Sequence, residues 1–269
     1  MHILFIGYGK TSQRVAKQLF QQGHQITTIS RSAKPQDFAT HLMQDIHQLD
    51  LSQLAPVDVV YVLLSPDSSD VQGYKQTYVD AIPAMLDALK NHPVQKVIVV
   101  SSTRVYGEQA GQCIDDDSEP KPVDAQGEIL RQMELLWQAA YPEQSIIIRP
   151  TGIYGASVAR MIKLAQQTAT YPKIHYSNRI HIEDLARFLA HLIHVEHPKK
   201  SYIVSNNQPI PLHEIIQWFQ QQLDLPELTL ESELLSGKQI YASNMQQMNF
   251  ELQHPDCFED YLALLVKNE

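Results

Sequence analysis

The most constraining feature of this chain is a series of short apolar runs in which hydrophobic residues do not alternate with polar ones. The run "HILFI" at His2–Ile6 comes first, and "VDVVYVLL" at 57–64 and "KVIVVSS" at 96–102 repeat it. A strand that is apolar on both faces needs a cover on both faces, which is typical of parallel sheets flanked by helices. Helical spacing of apolar residues follows the first run, over residues 11–22. This order predicts an α/β fold, a doubly wound parallel sheet with right-handed crossovers.

Weaker patterns extend the prediction to the rest of the chain. Further strands are predicted at 25–30, 145–150 and 201–205, with a weak one near 41–46, and helices at 74–91, 127–141 and 182–194. From Pro209 on, amphipathic helical stretches separated by prolines predict a small, mostly helical C-terminal lobe. The acidic run at 114–120 is interpreted as a solvated loop.

Composition and charge exclude several classes of protein. The chain of 269 residues is 43% hydrophobic, which is ordinary for a globular protein, and its formal net charge is −9. A nucleic-acid or anionic-membrane surface needs basic patches, so neither partner is expected. The two cysteines form no CxxC or Cys/His motif, so no metal site is expected. No signal peptide or membrane span is recognised, and a cytoplasmic location is therefore predicted.

A glycine turn joins the first strand to the first helix, in the segment "FIGYGKTSQRVA" at 5–16. Gly7 permits a tight turn, and Gly9 removes a side chain where a pyrophosphate would approach the backbone. Ser12, at the third small position, is small enough for close packing of helix on strand. Free N–H groups and the positive end of the helix dipole would face the phosphates. The turn predicts a dinucleotide site of the Rossmann type, built from Gly7, Tyr8, Gly9, Lys10, Thr11 and Ser12.

The residues after the second strand indicate which dinucleotide is bound. NAD-binding proteins usually carry an acidic residue there, which accepts a hydrogen bond from the ribose 2′-hydroxyl. This chain has "SRSAK" at 30–34 instead. Arg31 could pair with a 2′-phosphate, assisted by the hydroxyls of Ser30 and Ser32, although a solvated arginine at the start of a loop would have the same sequence. We therefore predict NADP as the preferred cofactor and NAD as the alternative.

Two other strand ends offer cofactor contacts. The segment "LLSPD" at 63–67 ends a strand that should pass the adenosine or the pyrophosphate, so Leu64 and Ser65 are candidates to line it. Pro150 ends a later strand, near the expected place of the nicotinamide.

Four further segments resemble a known family in order and spacing. The segment "VVSSTRVYGE" at 99–108 resembles the SSxxVYG segment of extended short-chain dehydrogenases/reductases, the NAD-dependent epimerase/dehydratase family. "IIIRPTGIYGAS" at 146–157, "NRIHIEDLARFL" at 178–189 and "SYIVSNNQPIPLHEI" at 201–215 resemble its later motifs. The GxGxxS turn is more similar to the atypical branch of these proteins. The resemblance covers nearly the whole chain and adds Ser101 to the implied cofactor contacts.

The catalytic groups of that family are only partly present. The resemblance implies that Ser102 orients a substrate oxygen and that a Tyr-x-x-x-Lys pair acts as general acid and base. Counting back from Glu134 in the following helix puts Gln126 at the tyrosine position and Leu130 at the lysine position. Neither glutamine nor leucine can supply the proton chemistry. No Tyr-x-x-x-Lys occurs between residues 106 and 141.

Two explanations compete for the missing pair. In the first, chemistry persists with a substitute acid, and Tyr106 and Tyr154 are candidates because each follows a strand that ends at the ligand-binding crevice. Arg104 or Arg149 would then supply the field that such a tyrosine needs at neutral pH. In the second, the chain binds NAD(P) without catalysis and the tyrosines pack structurally. His181 is a further acid/base candidate, although a single histidine before a helix is more often a packing residue.

The expected function is therefore an NAD(P)-dependent oxidoreductase or epimerase of the atypical short-chain type, with the usual dyad replaced. A small carbonyl or sugar-derived molecule, including a nucleotide-sugar, is the expected substrate. The alternative is a non-catalytic NAD(P)-binding sensor or regulatory protein. The resemblance also suggests a homodimer through the helices predicted at 74–91 and 127–141. The predicted domains are an NAD(P)-binding Rossmann domain over 1–154 and about 178–206, and a substrate lobe over about 155–177 and 207–269.

Overall fold

The computed structural model describes residues 1–34 and 37–266, so the last residues of the predicted C-terminal lobe, 267–269, lie outside the described part. The described residues divide into two compact units. The first contains Met1–Gly107, Pro120–Arg149 and Leu185–Tyr202, and the second contains Glu108–Glu119, Pro150–Asp184 and the residues from Ile203 on. Compactness alone does not show where a cofactor or a substrate binds, so the predicted boundaries of the two functional domains stay a prediction.

The secondary structure alternates between strands and helices along most of the chain. The strands are β1 (His2–Ile6), β2 (Gln25–Ser30), β3 (Thr40–Met43), β4 (Val59–Val62), β5 (Lys96–Val100), β6 (Ala110–Ile114), β7 (Ser145–Pro150), β8 (Gly152–Tyr154), β9 (Thr170–Tyr171), β10 (Ile174–Ser177), β11 (Arg179–His181), β12 (Ser201–Val204), β13 (Ile210–Pro211), β14 (Thr229–Leu230) and β15 (Leu235–Ile240). The α-helices are α1 (Lys10–Gln21), α2 (Val71–Lys75), α3 (Ile82–Leu89), α4 (Ala125–Ala140), α5 (Ala159–Gln167), α6 (Ile182–His191), α7 (Leu212–Gln222), α8 (Ser243–Gln247) and α9 (Cys257–Val266). Within residues 1–34 and 37–266, no helix combines the length and the apolar character that crossing a membrane requires.

The main sheet has seven strands in the order β12-β7-β5-β4-β1-β2-β3. Pairing is parallel from β7 to β3, and Ile3 of β1 lies opposite Ile26 of β2 on one side and Val59 of β4 on the other. All residues of β1 and β4 are buried, as their uninterrupted apolar runs predict. The strand order changes direction between β1 and β4, and ligands of open α/β sheets bind outside the carboxyl ends of the strands at such a point. The predicted doubly wound Rossmann-type fold is confirmed.

Local sequence explains where the flanking helices of the first unit begin and end. The α1 helix buries Val15 and Leu19 on one face and ends before Gly23, whose φ of 87° suits glycine. Asp124 is the N-cap of α4, and its carboxylate accepts a hydrogen bond from the Gly127 N–H at 2.7 Å.

The helix predicted at 74–91 is divided into two. The α2 helix ends at Lys75, a π-helical turn covers Gln76–Asp80, and α3 begins at Ile82. Pro83 lies in the first turn of α3, and because proline has no N–H it cannot continue the hydrogen bonds of a preceding helix. The helix predicted at 182–194 likewise changes to a 3-10 turn at Leu192–His194.

The second unit contains a mixed sheet beside the helices that the sequence predicts. Its strand order is β13-β10-β15-β6, with β10 parallel to β15 and antiparallel to β13. These strands are short and mostly half-exposed or exposed, so no apolar run in the sequence identifies them. The apolar core of this unit is built from Tyr154, Val158, Met161, Ala165, Ile215, Ile216, Phe219, Leu228, Cys257 and Tyr261.

Part of the acidic run at 114–120 has a structural role that its composition does not indicate. One carboxylate oxygen of Asp116 accepts a hydrogen bond from the Ile203 N–H at 2.6 Å, and the other accepts one from the Asn244 N–H at 2.9 Å. Asp116 thereby joins three separate segments of the second unit.

Candidate functional site

The glycine turn between β1 and α1 has surroundings that a larger residue would not tolerate. Gly7 has a φ of 92°, and a Cβ atom built on it would lie 2.1 Å from the carbonyl oxygen of Leu63. The Gly7 N–H donates to the carbonyl of Ile29 at 3.1 Å, which holds the turn against the end of β2. Only glycine combines this φ with so close an approach of neighbouring backbone.

Gly9 leaves open space at the start of α1. A Cβ atom built on Gly9 would have no heavy atom of the described residues within 4 Å. Gly9 is the N-cap of α1 and supplies no side-chain cap, and the first turn of α1 contains no acidic residue. The N–H groups and the positive end of the helix dipole are therefore suited to an anion. Lys10, Thr11 and Ser12 all lie in this first turn, and of the three Ser12 is buried.

A cavity of about 690 Å³ lies beside the turn, within the first unit. Its walls come from the glycine turn, from the residues after β2 and β3, and from the segment that follows β4. Its volume lies in the range of cofactor sites. The lining includes six of the predicted cofactor residues: Gly7, Tyr8, Gly9, Arg31, Leu64 and Ser65. The other five predicted cofactor residues, Lys10, Thr11, Ser12, Ser101 and Pro150, are not part of the lining.

Arg31 lines the cavity together with an acidic residue that the sequence analysis did not single out. The two terminal nitrogens of Arg31 donate to the two carboxylate oxygens of Asp67, which follows β4. The hydrogen bond from Arg31 holds the pKa of Asp67 below its usual range, so Asp67 is ionised at neutral pH. The hydroxyl of Ser30, a predicted assistant of Arg31, donates to the carbonyl of Ser32 at 2.8 Å.

Two adjacent serines follow β5 and have different surroundings. Ser101 is 8% exposed, and its hydroxyl oxygen is buried without a hydrogen-bond partner in the described part of the chain. A buried hydroxyl is costly unless a ligand or water satisfies it, so Ser101 has spare bonding capacity. The hydroxyl oxygen of Ser102 accepts a hydrogen bond from the Arg104 N–H at 3.2 Å and caps a short 3-10 turn at Thr103–Val105.

Tyr106 is buried beside a charged pair. Its hydroxyl accepts a hydrogen bond from Nη1 of Arg149 at 2.9 Å. Arg149 also donates from Nε and Nη2 to the carboxylate of Glu134, at 2.9 and 2.8 Å. Burial lowers the pKa of Arg149, but the bonds to Glu134 and Tyr106 outweigh it, and the net pKa is raised. These contacts join β7, α4 and the segment after β5.

The two positions that correspond to the family's dyad carry no titratable group. The side-chain nitrogen of Gln126 donates to the carbonyl of Ser69 at 3.2 Å. Leu130 is buried in the core, with 3% exposure. Both residues lie on α4.

In the second unit, Tyr154 is the first member of a series of hydrogen bonds. Its hydroxyl donates to Oδ2 of Asp260 at 2.6 Å, and Nδ1 of His254 lies 2.6 Å from Oδ1 of the same carboxylate. The ring of His254 stacks on that of His181, with the centroids 3.7 Å apart. Burial and then the bond to Asp260 raise the pKa of Tyr154, which is the opposite of what a tyrosine base at neutral pH needs.

Pro150, also in this unit, is a buried residue at the end of β7.

His181, His254 and Asp260 also present potential metal ligands, and these atoms lie within 4.8 Å of one another. Two imidazoles and a carboxylate form a ligand set that zinc and iron use. However, the two rings are stacked with an interplanar angle of 24°, and the lone pairs of imidazole lie in the ring plane. A shared ion would require one ring to turn, so we assign the cluster to stacking and hydrogen bonding. Burial, and then the charge of His254, lower the pKa of His181.

Three residues of these clusters were missed from the sequence: Asp67, His254 and Asp260. A usable signal existed for Asp67, because it lies two residues beyond Ser65 in the same strand-end segment. His254 and Asp260 belong to no recognisable motif, and only the folded second unit brings them to Tyr154.

The chain matches known proteins over most of its length. A family model described as NAD(P)H-binding matches residues 7–196. Protein YeeZ of Escherichia coli (strain K12) is 25% identical to the chain over 273 residues, an alignment that covers 94% of this chain and 96% of that protein.

Solved structures agree with these matches. A protein from Methylobacillus flagellatus, provisionally named an NAD-dependent epimerase/dehydratase, is 31% identical and superposes with a TM-score of 0.86 over 99% of this chain and 98% of its own. The UDP-glucuronic acid 4-epimerase of Bacillus cereus, solved in complex with NAD, superposes with a TM-score of 0.78 over 99% of both chains. Its identity of 18% makes this a likeness of fold alone. The family match and the 31% identical structure show that the chain belongs to the NAD(P)H-binding proteins and, among them, to the NAD-dependent epimerase/dehydratase family of short-chain dehydrogenases/reductases.

Proposed function

We propose that this protein is an NAD(P)-dependent oxidoreductase or epimerase of the atypical short-chain type. The observation that carries the proposal is the cavity at the glycine turn. Gly7 admits the close approach of Leu63, and Gly9 leaves open space in front of the uncapped N-terminus of α1. Both features suit the pyrophosphate of a dinucleotide. When bound, the dinucleotide supplies or accepts a hydride, while residues of this chain hold it and orient the substrate.

The proposed cofactor is NADP in preference to NAD. The support is Arg31, which lines the cavity with a planar guanidinium that can pair with a 2′-phosphate through two hydrogen bonds. Ser101 is a proposed second contact, because its buried hydroxyl has spare bonding capacity. Pro150 is proposed to lie near the nicotinamide on the strength of its place at the end of β7.

The proposed substrate is a small carbonyl or sugar-derived molecule, including a nucleotide-sugar. The epimerase of Bacillus cereus named above acts on UDP-glucuronic acid, and a protein of similar fold, MoeE5, has been solved with UDP-glucose and NAD. These relatives support the substrate class through their likeness of fold. We further propose a homodimer, for which the support is the family resemblance.

The catalytic roles are proposed as follows. Ser102 orients the substrate oxygen, and a tyrosine replaces the missing dyad. Tyr106 lies beside a cation, Arg149, whereas Tyr154 donates to a carboxylate, Asp260. A cation is the partner that a tyrosine acid/base needs, which supports Tyr106, but Arg149 is also paired with Glu134 and Tyr106 is only 1% exposed. Both tyrosines are therefore kept as candidates for this role.

A second candidate function is a non-catalytic NAD(P)-binding sensor or regulatory protein. The observation that favours it is the pair of positions on α4 where the family's dyad would stand. Gln126 there bonds to a backbone carbonyl and Leu130 is part of the core, so both side chains have structural roles.

The test separates binding from chemistry. The purified full chain is titrated with NADPH and with NADH, and oxidation of the bound cofactor by a panel of carbonyl compounds is then followed by absorbance. An epimerase returns its hydride to the sugar and leaves the cofactor unchanged overall, so sugar nucleotides are incubated with the chain and the oxidised cofactor, and their isomerisation is followed by chromatography. Turnover that Ser102→Ala abolishes supports the enzyme. The control is Ser52→Ala, since Ser52 is an exposed serine of the first unit that does not line the cavity. Tight binding with neither oxidation of the cofactor nor isomerisation of a sugar nucleotide favours the sensor, and no binding of either cofactor contradicts both functions.

A further inference from the structure

The rim of the dinucleotide cavity carries a pair of opposite charges from two different strands. Arg31 follows β2 and Asp67 follows β4, and both line the cavity. The guanidinium of Arg31 donates to both carboxylate oxygens of Asp67. Both side chains are well exposed, at 60% and 70%, so a ligand in the cavity can reach either of them.

The other carboxylates that line this cavity each accept a hydrogen bond from a local backbone N–H, and each also has a neighbouring side chain as a partner, His47 for Asp45 and Ser68 for Asp70. Asp45 accepts hydrogen bonds from the N–H of His47 at 2.9 Å and from its ring at 2.8 Å. Asp70 is the N-cap of α2 and accepts from the Gly73 N–H at 2.8 Å. Among the described acidic residues of the lining, Asp67 is therefore the carboxylate that is held by another side chain alone.

This arrangement supplies a group that the sequence lacks in its usual place. Proteins that bind NAD carry a carboxylate after the second strand, where it accepts hydrogen bonds from the ribose hydroxyls. In this chain Arg31 occupies that place, and the carboxylate beside it arrives from the segment after β4. We propose that Asp67 accepts the ribose hydroxyl of NADH, and that Arg31 and Asp67 together select between NADH and NADPH. This inference rests on the proposed function, because it requires a dinucleotide in this cavity.

The two cofactors should respond to Asp67 with opposite signs. A 2′-phosphate that pairs with Arg31 must lie close to the carboxylate of Asp67, and the two negative charges repel each other. A free 2′-hydroxyl in the same place is a hydrogen-bond donor, which the carboxylate accepts. Asp67 thus weakens the binding of NADPH and strengthens that of NADH. A surface ion pair without a role in binding would change the affinity for neither cofactor.

The experiment compares the dissociation constants of NADPH and NADH for the wild-type chain and for Asp67→Asn, measured by calorimetric titration. The variant should bind NADPH more tightly and NADH more weakly, each by roughly two- to five-fold, which is the range of an exposed charge interaction. Asp87→Asn is the matched control, because Asp87 forms an exposed ion pair with Lys90 outside this cavity. It should change neither constant.

Other outcomes overturn the inference in ways that can be told apart. Equal changes for both cofactors, or no change for either, contradict a selecting role of Asp67 while leaving the proposed function untouched. Failure of the wild-type chain to bind either cofactor contradicts the proposed function and this inference with it. A circular dichroism spectrum and a denaturation midpoint that match the wild type show that the variant is folded.

Discussion

Two arginine–carboxylate pairs in the first unit have the same chemistry and opposite surroundings. Arg149 and Glu134 are 5% and 0% exposed, and each carboxylate oxygen receives a hydrogen bond from the guanidinium. Arg31 and Asp67 form an equivalent two-bond contact with 60% and 70% of their side chains exposed. Separating the buried pair would leave an unpaired charge in the core, which costs much free energy. Separating the exposed pair costs little, because water can replace either partner.

The difference teaches where this molecule can change without unfolding. The buried pair joins β7 to α4 and also holds Tyr106, so any ligand that competed for Arg149 would disturb the core. The exposed pair joins two segments at the edge of a cavity, and a bound molecule can compete for it at little cost. An ion pair of the first kind maintains the fold, and one of the second kind is available for selecting a ligand.

The largest effect should come from breaking the buried pair. Glu134→Gln leaves the charge of Arg149 buried without its counterion, and we expect the free energy of unfolding to fall by about 3–5 kcal/mol. Denaturation by urea, followed by circular dichroism, measures this loss. Glu143→Gln is the control, because Glu143 pairs with Lys200 on the surface and should change the midpoint little. Equal stabilities of the two variants would contradict the distinction drawn above.

The next effect concerns binding rather than stability. Arg31→Ala should weaken the binding of NADPH by roughly ten- to a hundred-fold, the amount that a charge-assisted hydrogen bond to phosphate contributes. Binding of NADH should change far less, and the denaturation midpoint should stay where it is. Calorimetric titration with both cofactors checks the expectation, and equal losses for NADPH and NADH would exclude pairing of Arg31 with a 2′-phosphate.

A contact of intermediate exposure should give a smaller effect that depends on pH. His254 and Asp260 are 30% and 15% exposed, and His181 stacks on His254. Because burial and His254 lower the pKa of His181 below its ordinary 6.5, the unfolded chain takes up a proton at a higher pH than the folded one. The contribution of His181 to stability is therefore fully present above about pH 6.5 and is lost as the pH falls below it.

Removal of this imidazole should flatten the pH dependence. His181→Gln should lose less unfolding free energy than the wild type between about pH 7.5 and pH 5.5. His197→Gln, at an exposed position, is the control and should follow the wild-type curve. Urea denaturation at several pH values measures both, and parallel curves for all three proteins would show that His181 does not titrate in this way.

The smallest effect should be one of salt. Raising sodium chloride from about 0.05 M to about 0.5 M screens exposed charges, so NADPH should lose affinity more steeply than NADH. In Arg31→Ala, the affinities for NADPH and NADH should fall equally steeply as the salt concentration rises. If NADPH stayed steeper in the variant, another cation would have to be its main partner.

The elements that the sequence predicted are those that neighbouring residues determine. The strand His2–Ile6 is apolar throughout, and α1 shows its apolar face and its terminal Gly23 within a dozen residues. The short strands of the second unit could not be found in this way. β10 and β15 are far apart in the sequence and pair with each other in the fold, with Ile174 opposite Leu235. Neither strand carries a long apolar run.

The candidate site shows the same limit. The glycine turn and Arg31 were found because their chemistry follows directly from residue type and from position after a strand. Their partners were not, because Leu63 and Asp67 reach the turn and Arg31 only through the pairing of β1 with β4. Sequence alone identified one side of each contact, and the fold was needed to identify the other.

The close fit of Gly7 against Leu63 has a practical consequence for finding the ligand. A molecule held at this turn contacts the backbone that follows β1, and β1 pairs with β2 on one side and with β4 on the other. The molecule can therefore bind only while the main sheet is folded. A ligand that binds the folded state alone, at a hundred times its dissociation constant, adds about 2.7 kcal/mol to the free energy of unfolding. A thermal-shift screen of nucleotides and sugar nucleotides would therefore report occupancy of the turn by a rise in melting temperature, with no need for a known reaction.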